Sequence, residues 1–177
     1  MTASAAADPH ASTLRRLAEV FGDGVFTTSR HLDNLRLHVH PGRLIDLLRE
    51  LRDHCGFQML SELGAVDFLG YPDRSESRPR FEVHYVLLDL TTSERVIVKV
   101  GVDDPSPTLP TATKLWAGAG WMEREVFDMY GITFVGHEDL RRILMPDEFT
   151  AFPLRKDYPL RGRGERHNFP KLTRNES

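Results

Sequence analysis

Four ionisable side chains fall within six residues in Glu123-Arg124-Glu125-Val126-Phe127-Asp128, followed by Met129-Tyr130-Gly131-Ile132, His137 and Leu140-Arg141-Arg142-Ile143-Leu144. A second dense run, Pro153-Leu154-Arg155-Lys156-Asp157-Tyr158-Pro159-Leu160, comes shortly after. Carboxylates, arginines and a histidine at this spacing could move protons, form ion pairs or grip polar groups of another chain. General acid–base work needs a nucleophile or acid partner aimed at one reacting atom. Neither run supplies one, and nothing around His137 does, so His137 is expected to orient a helix end or meet an acid. What the runs do supply is aromatics beside arginines, the composition of interface hot spots.

At 100° per residue the first run is helical, with Met122, Val126 and Met129 on one core-facing stripe. Arg124 and Asp128, four apart on the opposite side, are placed to form a surface ion pair worth well under ~1 kcal/mol. Glu125 flanks the stripe and Glu123 lies near Phe127. Trp116, Trp121, Phe127 and Tyr130 cannot all fit that stripe, which leaves aromatic surface for a partner. Beyond Ile132, Pro146, Pro153, Pro159 and Pro170 forbid a regular element. Phe149, Phe152, Leu154, Tyr158, Leu160, Phe169 and Leu172 nevertheless require burial. The arm must fold back on its own domain or lie along another protein; its length and charge favour the second. A chain ending after Met145 is then expected to fold but not to associate.

Charge divides along the chain. The net charge is −3, yet residues 140–174 carry nine Lys/Arg against four Asp/Glu, a net of +5, which leaves −8 for the rest. A basic tail on an acidic body points to an acidic or polar partner. The single cysteine, Cys55, excludes an intrachain disulfide and an iron–sulfur cluster, which takes about four thiolates. It fits an apolar helix face and a reducing compartment. No apolar run approaches the ~20 residues of a membrane span, and the start lacks the basic and apolar regions of a signal peptide.

These segments are positioned by an expected α+β domain: a small mixed or antiparallel sheet with packed helices and a long extended C-terminal arm. Residues 1–11 are expected to be disordered, 12–144 to form one domain, and 145–177 to be a partner-binding arm. Ser12 is expected to cap a helix presenting Leu14, Leu17, Val20 and Phe21, ended by Gly22 and Gly24. Residues 35–40 alternate as a half-buried strand. Pro41 opens a helix with Leu44, Leu47, Leu48, Leu51 and Cys55 on one face, closed by Gly56. Residues 57–69 read as extended, broken near Gly64. Residues 81–90 and 95–102 read as a hairpin, the second strand covered on both faces. A helix over 111–130, interrupted at 118–120, ends at Gly131. His38, His40 and His84 could line one sheet face, but they lack the carboxylate or cysteine spacing of a metal site. Arg161-Gly162-Arg163-Gly164-Glu165-Arg166 is a single short Arg-Gly run without stacking aromatics, a weak basis for an RNA-binding module.

The two dense runs resemble the C subunit of the proton-pumping NADH:quinone oxidoreductase, respiratory complex I. The family pattern is matched without gaps by Glu123-Arg124-Glu125, Asp128, Met129-Tyr130, His137, Arg141 and Ile143-Leu144. The run at 153–160 is a second hallmark, and Asn168-Phe169-Pro170 looks like a terminal one. Ala151-Phe152 stand where the family usually has Gly-His, and Gly120 where it has Asn; both lie beside the motifs. The resemblance covers roughly residues 30–174. It implies a non-catalytic subunit packed on the quinone-site D subunit, near the cluster-bearing B subunit, peripheral on the cytoplasmic side of the cell membrane. FMN and Fe-S clusters would sit on partner subunits and none on this chain, with no nucleic acid and only indirect membrane contact. Glu123, Arg124, Glu125, Asp128, His137, Arg141, Arg142, Arg155, Lys156, Asp157 and Tyr158 would be the partner-binding residues. Related subunits of membrane-bound hydrogenases and other quinone-linked dehydrogenases fit the same pattern.

Overall fold

The computed structural model describes residues 8–22, 24–72, 75 and 77–164. Asn168-Phe169-Pro170, Leu172 and the end of the Arg-Gly run lie outside the described residues, as do residues 1–7. Helix α1, Ala11–Phe21, begins one residue before the expected cap: His10 occupies the N-cap without a capping side-chain bond. Ahead of it the Asp8 carboxylate accepts the His10 N–H at 3.0 Å and pairs with Arg30. Leu17 is fully buried, whereas Val20, expected on the same face, is 45% exposed.

Strands β1 (Phe26–His31) and β2 (Asn34–Val39) form a hairpin whose turn holds Leu32 at φ +54. The sequence hid β1 because it is an edge strand: four of its six residues are exposed, so no alternation marks it. β2 alternates as expected, burying Leu35, Leu37 and Val39. A 3-10 turn at Pro41–Arg43 leads into α2, Leu44–His54, which buries Leu44, Leu47, Leu48 and Leu51 completely. Cys55 is half-buried, with its thiol pushed up to about 11 by burial and by Glu50, so it is protonated and inert at neutral pH. Gly56 takes the left-handed φ of +85 that closes the helix.

Strands β3 (Met59–Asp67), β4 (Phe81–Leu88) and β5 (Arg95–Val102) complete a five-stranded sheet of order β1-β2-β5-β4-β3, in which only β2 and β5 run parallel. The register shift in β3 falls between Leu60 and Glu62, not at Gly64. Gly64 instead makes room for a neighbour: a Cβ there would stand 2.9 Å from the His84 ring. One face of the sheet packs on the helices through Phe81, Val83, Tyr85, Leu87, Val96, Val98 and Val100. β5 is therefore fully buried on one face only; Ile97, Lys99 and Gly101 are half-covered. On that open face His38 and His84 stand in register on either side of Lys99, whose ammonium donates to Glu82 at 2.5 Å. His40 is turned to its own backbone, accepting from Gly42 N–H. Among the described residues no group of three or more His, Cys, Asp or Glu could hold a metal ion.

The last elements are β6 (Thr108–Pro110), α3 (Ala119–Tyr130) and β7 (Thr133–Val135), with β6 and β7 paired in parallel. The expected break at 118–120 is the start of α3: residues 113–118 are turns. β7 lies in a stretch read as arm, since three residues are too few to show a period.

The arm folds back on its own domain as far as Tyr158. Phe149 is buried, Phe152 and Tyr158 half-buried, and Leu154 N–H donates to the Met129 carbonyl at 3.1 Å. Leu160 is left fully exposed. Turns thus cover Phe149, Phe152 and Tyr158, which no regular element could, while Leu154 stays 48% exposed. Gly131 shows how: it closes α3 at φ +76, and a Cβ there would lie 2.6 Å from the Phe152 ring.

Candidate functional site

α3 carries two carboxylates with no solvent exposure, Glu123 and Asp128, and they are held in opposite ways. Asp128 does not pair with Arg124. Its Oδ1 accepts from Arg142 Nη1 at 2.6 Å, and its Oδ2 accepts from the N–H groups of Ile143, Leu144 and Met145 at 3.0, 2.7 and 2.8 Å. Burial pushes this carboxyl up, but the Met145 N–H, the Arg142 guanidinium and the other two N–H groups together hold it below the usual carboxylate value. Arg124 instead donates to the carbonyls of Arg141 and Arg142 at 3.0 and 2.9 Å. The expected surface ion pair is thus replaced by a helix stitched to the chain that returns past it. Arg142 completes the stitch through the carbonyls of Asp128 and Ala151.

Glu123 has neutral partners only. Thr111 Oγ1 donates to Oε2 and Ala112 N–H to Oε1, each at 2.6 Å, tying α3 to the segment after β6. Burial dominates and raises this carboxyl above its ordinary value despite those donors. The folded protein binds the Glu123 proton more tightly than the unfolded chain, so stability falls as pH rises from the unfolded value of about 4.3 through the raised folded one. Glu123→Gln is expected to match or exceed the parent at neutral pH and to remove that fall. Glu123→Ala, which orphans the Ala112 N–H and leaves the Thr111 hydroxyl with Thr113 as its partner, is expected to cost about 2 kcal/mol. Urea titrations at pH 4 to 8 check both; a Gln variant much weaker than the parent at pH 7 contradicts the assignment.

His137 orients the start of α3, as its sequence context indicates. Nε2–H donates to the Gly120 carbonyl at 3.0 Å while Nδ1 accepts the Asp139 N–H at 3.0 Å. These two bonds together define the neutral Nε2–H tautomer. Arg141 is 74% exposed and grips Asp139 with two bonds. Glu125 is exposed.

The second run enters a network centred on a residue with no sequence signal, Arg80. Its guanidinium, 11% exposed, donates to Asp67 through Nε and Nη2 at 3.1 and 2.9 Å and to Asp104 through Nη1 at 2.5 Å, and it meets Asp157 at 3.0 Å. Arg155 reaches both Asp104 oxygens at 2.7 Å and Asp157 at 3.6 Å. Lys156 contributes its backbone N–H to Asp67 and leaves its side chain exposed. Tyr158 packs edge-on against Phe149. Asp67, Arg80 and Asp104 stand at strand ends and in loops, where no periodicity could single them out.

Glu123, Arg124, Asp128, Arg142, Arg155 and Asp157 are therefore consumed in bonds within the chain, whereas Glu125, Arg141 and Lys156 face outward. A pattern in which buried ion networks fix a helix, a sheet edge and a returning arm is what a rigid scaffold requires.

The chain is similar to known proteins along most of its length. Residues 37–164 match the family model described as "Respiratory-chain NADH dehydrogenase, 30 Kd subunit". The C subunit of NADH-quinone oxidoreductase from Roseiflexus sp. is 43% identical over 85% of this chain and 84% of its own length. The one from Erythrobacter litoralis is 47% identical over 82% of this chain but only 56% of its own length. Among solved structures, a trypsin-resistant fragment (1–134) of Nqo5 superposes with a TM-score of 0.63 at 32% identity, covering 73% of this chain and 98% of that one. A chain of the membrane-bound sulfane sulfur reductase, an archaeal respiratory membrane complex, reaches 0.71 at 20% identity over 94% of this chain and 97% of its own, a likeness of fold. The chain belongs to the family of the 30 kDa, or C, subunit of respiratory NADH-quinone oxidoreductase.

Proposed function

We propose that this chain is a non-catalytic scaffold in the peripheral arm of NADH-quinone oxidoreductase, docked on the quinone-site D subunit and near the cluster-bearing B subunit. FMN and the Fe-S clusters then sit on partner subunits, and electrons pass from NADH to quinone through chains that this one holds in place. The observation that supports the reading best is the fate of the motif acids: Glu123 and Asp128 are sealed inside the fold by bonds that fix its shape. The groups that remain outside, Glu125, Arg141 and Lys156, suit recognition of another protein surface. Among the described residues no helix is long and apolar enough to cross a membrane, which fits contact with the membrane through partner subunits, on its cytoplasmic side. The likeness to the sulfane sulfur reductase chain concerns fold alone, so the electron donor is assigned from the relatives of higher identity.

The test must avoid charges that hold the fold. Arg155, 17% exposed and paired with Asp104, is unsuitable, because its reversal would disturb the arm itself. Arg141→Glu with Lys156→Glu changes two exposed cations. The double variant is expected to keep the melting midpoint of the isolated chain, to co-purify with the complex at roughly a tenth of the parent level, and to lower NADH-driven quinone reduction in proportion. Full retention of the variant in the assembled enzyme counts against the reading.

A further inference from the structure

A groove at the start of α3 is used by neither ion network. It encloses about 390 Å3 and is lined in part by Thr113, Lys114, Ala117, Trp121, Arg124 and His137. Trp121 is 65% exposed on a helix whose other sides are largely covered, and its indole N–H meets no acceptor among the described residues. The Arg124 guanidinium lies 5.2 Å from the indole ring. Its Nε and Nη2 are spent on carbonyls and Nη1 has no hydrogen bond among the described residues; the carboxylate that feels its charge, Asp139, is already gripped by Arg141. Lys114, exposed, has no ion pair among them either. Counting Arg141, which holds Asp139, the three cations Lys114, Arg124 and Arg141 outnumber the carboxylates of Glu138 and Asp139 by one.

We infer that this groove receives a segment of another subunit in which an aromatic or aliphatic side chain stands next to an aspartate or glutamate. The apolar side chain covers the indole, and the carboxylate takes Lys114 and the Nη1 edge of Arg124. A small anion alone would leave the indole uncovered, and an apolar plug alone would cover Lys114 and the Nη1 edge of Arg124 with nothing to accept from them, which is costly. An exposed tryptophan fixed by an arginine has the composition of an interface hot spot. Through Asp139 the groove adjoins Arg141, one of the outward-facing residues proposed above for partner contact, and the inference rests on that reading.

The experiment uses the full chain in the assembled enzyme. A photo-crosslinking benzoylphenylalanine placed at Trp121 is irradiated in the purified complex, and the linked peptide is identified by mass spectrometry. A peptide from another subunit with Asp or Glu within a few residues of the crosslink supports the inference. A link within this chain, a peptide without a carboxylate, or no link overturns it. In parallel, Trp121→Ala and Lys114→Glu are expected to leave the melting midpoint of the isolated chain unchanged and to reduce its retention in the complex at least about tenfold. Normal retention of both, with loss in the Arg141→Glu, Lys156→Glu variant, overturns the groove alone. Normal retention of all of them overturns the scaffold reading as well.

Discussion

Asp128→Ala is expected to destabilise the chain by about 3–5 kcal/mol, the range for breaking a buried ion pair by removing one partner. The carboxylate is fully buried, and its loss strands Arg142, only 14% exposed, together with three N–H groups of residues 143–145. For a chain of this length that corresponds to a fall in melting midpoint of roughly 10 °C. Asp128→Asn keeps the volume and one acceptor oxygen and should lose about half as much. The pH dependence has the opposite sign to that of Glu123. A carboxyl held below its ordinary value contributes stability that is complete above the unfolded pKa, near 4, and is lost as pH falls toward the lower folded value. Acid unfolding of the parent should therefore be steeper than that of Asp128→Asn. Calorimetry between pH 3 and 7 measures both effects, and a shift of less than about 2 °C in Asp128→Ala at pH 7 would show the network to be dispensable.

Arg80→Ala is the second large effect. Three carboxylates, Asp67, Asp104 and Asp157, converge on this guanidinium, and Asp67 has no solvent exposure of its own. Removing the cation leaves Asp67 with the Leu69 and Lys156 N–H groups alone and sets like charges against one another. A loss of about 3–5 kcal/mol is expected. Arg80→Lys restores a charge but cannot reproduce the two-pronged grip on Asp67 and should recover less than half. The distinctive readout is the arm. Arg80 and Asp157 link it to the sheet edge, so Arg80→Ala should hasten trypsin cleavage after Arg155 and Lys156 well before global unfolding. Cleavage at the parent rate would mean that Phe149 and Phe152 hold the arm unaided. The same contacts revise the expectation for a chain ending after Met145. It keeps the sheet and helices but loses the partners of Asp67, Arg80 and Asp104, so it should fold with reduced stability.

Several elements are legible in the order of residues alone. The leucines of α2 fall at helical spacing and are all buried; Gly56 and Gly131 close helices in the left-handed conformation; β4 and β5 pair as the hairpin their composition announces. The family is legible as well, because its pattern is local and ungapped. β1 is not, since an edge strand exposed on both faces has no alternation to read.

In α3 local pattern and long-range packing can be told apart. Its length, its left-handed stop and its apolar stripe of Val126 and Met129 follow from local periodicity. The burial of Glu123 and Asp128 does not. A wheel assigns polar positions to water, and that inference holds only when a helix has one neighbour. This helix has the sheet on one side and the returning chain on the other, and the donors that its acids accept from are 11 to 17 residues away. Asp67 and Lys156, joined across 89 residues, are further apart still. Compensated burial leaves charged residues where exposure would also leave them, so only the arrangement in space could tell the two apart.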